Sequence, residues 1–189
     1  FTKVIPYLNF EPAINFLSTK TDRVLQKSFF QWSFYIHIIS SWFVMVAGII
    51  QFIPYILKNF PAIHRTSGKI YVLLVLLLAA PSGLGLAFYA NGGLSTKVGF
   101  TFQCIVWWFV TFIAWQEIRN RNWLLHTQSM IRSYAVTLAA MSLRVLSYVM
   151  IYNFGTKPIE TYLTVTWLSW VGNLFIAEIF IRYGLAQYL

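Results

Sequence analysis

Three histidines, His37, His64 and His126, are the side chains of this 189-residue chain best suited to ligate a metal, and Arg65, Arg132, Arg144 and Glu178 are charges set into or beside apolar runs. Two imidazoles facing each other at one depth of a helical bundle would suit the axial positions of a b-type haem. Guanidinium groups near helix N-termini would suit phosphate oxygens. An Arg or Glu inside an apolar segment would have to face other helices or a wet cavity, where it can relay protons or lock two helices together. Other chemistries lack their residues. There is no nucleophile elbow, H-E-x-x-H pair, paired carboxylates or phosphate loop. The single cysteine, Cys104, excludes an intrachain disulfide and any cysteine-rich metal or iron–sulfur site.

The elements that must position these groups are membrane spans. The chain is 58% hydrophobic, 19% aromatic and only 10% charged, with a mean hydropathy of +0.64, which is outside the range of ordinary soluble domains. The formal charge of +9 does not point to nucleic acid, because Lys and Arg sit at the ends of apolar runs instead of forming a basic stripe. Residues 1–28, with mixed prolines and charges, read as an extramembrane or interfacial arm carrying one short amphipathic helix around 12–25. Residues 29–189 read as an all-α, polytopic transmembrane helical bundle. Apolar runs at about 29–57, 70–90, 98–116, 129–152 and 161–183 give five spans. The second is expected to be kinked or loosened near Pro81-Ser82-Gly83, and Asn91-Gly92-Gly93 and Gly155-Thr156-Lys157-Pro158 read as turns. In the link 58–69, His64, Arg65, Thr66 and Ser67 are placed to cap the following helix. The chain opens at Phe1 without an initiator Met, so a further span upstream is expected.

Cations concentrate in the loops 58–69 and 117–125, which predicts that this side is cytoplasmic. Span geometry then assigns depths. His126, Ser133, Thr137, Arg144 and Tyr148 share one stripe of a helix, and His37, Ser41, Gly48 and Gln51 lie within about 80° of each other on another. His37 and Arg144, both about two turns from the outer surface, are predicted to form an intramembrane polar pair. His64, Arg65, His126, Arg132 and Glu178 are predicted to gather at the inner surface. A metal site made of all three histidines fails on depth, since His37 lies about 20 Å from the other two by helix rise. The openings HRTSGKIY and HTQSMIRSY are also alike, each with His, then a cation, then Tyr.

Several of these residues carry a family resemblance: His37, then His64-Arg65-x-x-Gly68-Lys69-x-Tyr71, Gly92-Gly93 before Gly99-Phe100, His126-x-x-x-Met130-Ile131-Arg132-Ser133-Tyr134-Ala135, Leu143-Arg144, and Trp170-x-x-Asn173-Leu174-x-x-Ala177-Glu178. Over residues 30–183 the chain resembles the predicted membrane proteins grouped as domain of unknown function 2306, found mostly in bacteria. The resemblance implies a polytopic helical bundle, usually with another span upstream, and it implies no activity. Thr127-Gln128-Ser129 departs from the more basic or aromatic residues often found there in similar sequences.

These observations favour a multi-pass protein of the bacterial inner (cytoplasmic) membrane without catalytic function. It is expected to be an accessory or structural component of a membrane assembly, in contact with other subunits. Its inner-face cluster of His64, Arg65, His126, Arg132 and Glu178 is expected to form a basic site for anionic lipid or a partner. The alternative is membrane electron transfer with haem b held by His64 and His126.

Overall fold

The computed structural model of the chain describes residues 16–184. Among them the protein is all-helical, without strands. After a 3₁₀ turn at Leu17–Thr19 come α1 (Asp22–Leu25), α2 (Ser28–Gln51), α3 (Pro54–Asn59), α4 (Pro61–Ala87), α5 (Leu94–Arg119), α6 (Trp123–Thr137), α7 (Ala139–Phe154) and α8 (Pro158–Arg182). Proline's fixed φ and missing N–H suit the first turn of a helix. Accordingly Pro54, Pro61 and Pro158 open α3, α4 and α8. The α4–α5 reversal uses two consecutive residues at positive φ, Gly92 at 84° and Gly93 at 79°, a conformation that glycine adopts without steric cost.

Four helices, α2, α4, α5 and α8, are each long and apolar enough to cross a membrane, and α6 with α7 makes a fifth if that bent pair is one span. The first apolar run ends earlier than its composition indicates, because Pro54 starts a separate short helix. The fourth begins at Trp123 and is broken: α6 and α7 meet at Leu138 with a bend of 46°. The second run extends back to Pro61, which places His64 to Ser67 inside the first turns of α4; they do not cap it. Of the helix expected around 12–25, residues 12–15 lie outside the described residues, and the remainder forms the 3₁₀ turn and α1.

The two ends of the bundle differ in their residues. The histidine end holds α3 and the α5–α6 turn; the arm end holds residues 16–27, the α4–α5 turn and Gly155. Helices α2, α4, α5, α6 and α8 pack as the bundle, and α7 lies outside it against α8. The core runs through Val44, Ala47, Tyr71, Val75, Ala79, Trp107, Ala114, Met130 and Val136. In a bilayer, helices associate by close packing and hydrogen bonds more than by expulsion of water. Gly48 shows the close packing: a Cβ there would overlap the Tyr134 ring. The arm docks on the bundle. Leu17, Phe30 and Phe34 cluster with Val24, Leu86 and Tyr89, and Lys20 Nζ donates to the Tyr89 carbonyl (2.6 Å) and to Asn91 Oδ1 (2.9 Å).

Candidate functional site

Polar groups inside the bundle follow one stripe on each of three helices: His64, Ser67 and Tyr71 on α4; Trp107, Thr111 and Ala114 on α5; His126, Ser129, Ser133 and Thr137 on α6. These are spacings of three, four or seven residues, which keep side chains on one helix face. At the centre, Tyr71 Oη lies 2.8 Å from both Ser133 Oγ and Thr137 Oγ1. Thr111 Oγ1 lies 2.6 Å from Ser133 Oγ, and Trp107 Nε1–H donates to Thr137 Oγ1 at 3.1 Å. Tyr71, Thr111 and Ser133 are fully buried, and every hydroxyl in this knot has a partner. The knot fixes α4, α5 and α6 in register.

That register carries the histidines. His64 is seven residues before Tyr71 and His126 seven before Ser133, so the contact between Tyr71 and Ser133 brings the two imidazoles to one level, about 10 Å nearer the histidine end. They lie within electrostatic range of each other. His126 Nδ1 is 2.8 Å from the Ala114 carbonyl oxygen and donates to it, while His64 Nδ1 is buried without a partner. The backbone around His64 is held by Gln51, whose Nε2 donates to the His64 carbonyl at 3.1 Å.

On another face of α6, Arg132 grips Glu178 in a two-pronged ion pair, Nε to Oε1 at 2.5 Å and Nη2 to Oε2 at 3.0 Å, tying α6 to α8. Arg132 and Glu178, both assigned to the inner-face cluster from sequence, thus meet, but the guanidinium fork is occupied by the carboxylate. Arg65 is exposed. The α6 N-terminus is already capped, since Asn122 Oδ1 accepts from the Leu125 N–H, and His126 lies a turn inside the helix.

Toward the arm end, His37 and Arg144 occupy separate places. His37 Nδ1 is 2.8 Å from the Ala79 carbonyl oxygen on α4, and its ring lies against Gly83, where Cys104 also approaches. Arg144 is exposed and donates to the Ala140 carbonyl of its own helix at 2.7 Å. The break at Leu138 explains the separation: it turns α7 onto α8, whereas α2 packs on α4. The loosening expected near Pro81 is a π-helical turn at Val75–Ala79. Proline at 81 has no N–H for the preceding turn, and Trp108 Nε1–H donates to the Leu76 carbonyl at 3.1 Å.

Sequence reasoning gave Thr111 no role, and it named Tyr71 and Asn173 in the family motif without the contacts they make; Asn173 donates to the Ala135 carbonyl at 3.0 Å and accepts from Ser142. A recoverable signal existed: the two similar openings superpose as His64/His126, Ser67/Ser129 and Tyr71/Ser133. Among the described residues no group of three or more metal-ligating side chains occurs. No curated protein and no solved structure matches the chain. The family model described as predicted membrane protein (DUF2306) matches residues 34–181, and with this span of its helices so covered, the chain belongs to that family of membrane proteins.

Proposed function

We propose that this protein is a non-enzymatic, multi-pass component of an assembly in the bacterial inner membrane, joined to its partner through α7. The observation that carries this reading is α7 itself. Only Ala139 of its sixteen residues is buried, and Met141, Val145, Tyr148, Ile151 and Tyr152 are all exposed. On the same helix Arg144, about 15 Å of helix from the far end at Phe154, reaches back toward the Leu138 break. A guanidinium facing lipid at that depth is costly, whereas one facing another helix is a docking device. The chemistry fits a partner span with an acidic or strongly hydrogen-bonding side chain at mid-membrane. The other polar groups of the interior mainly hold helices together, which is the work of a scaffold. Exposed Lys58, Arg65, Lys69, Arg119 and Arg121 at the histidine end favour anionic lipid headgroups. Between α2 and α4 an apolar groove of about 480 Å³, lined by Phe43, Val46, Ile50, Ile63 and Ile70, suits an acyl chain.

The test is the native size of the complex extracted in mild detergent. Arg144→Met should reduce it to the single chain while leaving the melting temperature of that chain unchanged; a complex of undiminished size would remove α7 as the joint.

One observation favours a second reading, haem b between His64 and His126. Their rings share one level, the Ala114 carbonyl orients His126 through Nδ1, and His64 has a buried nitrogen without a partner. A reduced-minus-oxidised b-type absorption band lost in His64→Ala and His126→Ala would put this reading first, and a featureless visible spectrum would remove it.

A further inference from the structure

Among the described residues, five buried side-chain atoms lack a hydrogen-bond partner: Ser41 Oγ, His64 Nδ1, Gln103 Oε1, Ser169 Oγ and Trp170 Nε1. Buried polar groups are normally satisfied, and those that no protein group satisfies are typically served by ordered water. Three of the five fall together. Helices α5 and α8 run in the same direction, and the Cβ that Gly99 lacks would lie 2.8 Å from Thr166 and 3.2 Å from the Trp167 ring. One helical turn further along each helix sets Gln103 opposite Trp170, with Ser169 beside it. Ser169 is wholly buried and Trp170 is 7% exposed. Trp170 offers only an N–H, Gln103 offers an amide, and Ser169 can donate or accept. These groups are complementary in type, yet they do not bond to one another, so each points to a small group between them that both donates and accepts.

The cluster continues the stripe already described. The next turn of α5 bears Trp107, whose indole bonds Thr137, followed by the hydroxyl knot and the Ala114 carbonyl that holds His126. At the other end stands His64, again with an unpartnered buried nitrogen. From Gln103 to Ala114 the stripe is about 16 Å long, roughly half the hydrocarbon thickness of a bilayer.

We propose that ordered water is bound between Gln103, Ser169 and Trp170 in the middle of the bundle, forming the deep end of a polar column that reaches the two histidines. Water has the required mixture of donors and acceptors. A second water serves His64 Nδ1. The hydrogen-bonded knot of Tyr71, Ser133, Thr111 and Thr137 joins the two.

Hydroxyl-radical footprinting by X-ray radiolysis tests this on the whole protein in lipid nanodiscs, because radicals form from water held beside the residue they modify. Trp170 should be modified several-fold faster than Trp108, an indole on the exposed side of α5. Gln103→Leu should bring the Trp170 rate down to that of Trp108, and Ser169→Ala, a smaller change, should lower it in part. A wild-type Trp170 rate no higher than that of Trp108 would overturn the proposal. So would a fast Trp170 rate that neither substitution changes, since the water would then lie elsewhere.

Discussion

At the scale of single residues, polar side chains in this bundle act through the partner they find. Arg132 and Glu178 could each be expected to bind something outside the chain, and instead bind each other in a geometry that uses both prongs of the guanidinium. With side-chain exposures of 28% and 42%, the pair is partly solvated, so its coupling should be modest. A double-mutant cycle with Arg132→Ala and Glu178→Ala, read by detergent melting, should return about 1 kcal/mol. Lys20 behaves differently. Burial, with the charge of Lys97 nearby, pulls its ammonium down from the ordinary 10.5 to about 8. Between pH 8 and 10.5 the undocked chain therefore binds more protons at Lys20 than the docked one, so docking of the arm should strengthen as pH rises through that window. The hydrogen-exchange protection of residues 16–27, taken relative to the intrinsic exchange rate at each pH, should rise across it, and Lys20→Met should abolish the dependence. The charged residues were legible in the sequence because a charge in an apolar run stands out. Tyr71 was not: among 11 tyrosines, most suited to interfacial belts, nothing local distinguishes the one that meets Ser133 and Thr137.

At the scale of elements, the least legible feature is the break between α6 and α7. No glycine or proline occurs from Trp123 to Phe154, so the usual local causes of a kink are absent. The cause lies on another helix. Asn173 of α8 supplies a side-chain donor to the Ala135 carbonyl and accepts from Ser142, one contact on each side of Leu138. A bend produced by a tertiary insertion cannot be read from the bent segment. Asn173→Leu should therefore loosen α7 selectively: amide exchange in Ala139–Phe154 should rise about tenfold, the equivalent of roughly 1.4 kcal/mol, while α2 and α4 keep their protection. Uniform loosening of the whole bundle would show that the two halves are not held separately. The π-turn in α4 is the opposite case, since Pro81 announced a disturbance and the structure shows it as Val75–Ala79.

At the scale of the whole molecule, four helices pass the length and hydropathy required of a span, five with the bent pair, and the apolar runs of the sequence located all of them. Run length depends on bilayer thickness alone, which is why it was readable, whereas the place of α7 outside the bundle depends on which helices pack together. That placement separates Arg144 from His37 and leaves a cation on an exposed helix. The measurement that bears most directly on the account is site-specific photo-crosslinking in native membranes from Val145, exposed beside Arg144, compared with Phe175, exposed on α8. The account predicts a discrete protein adduct from Val145 that disappears in Arg144→Met, and lipid adducts alone from Phe175. Lipid adducts alone at both positions would contradict it, and α7 would then be a lipid-facing half-span that joins nothing.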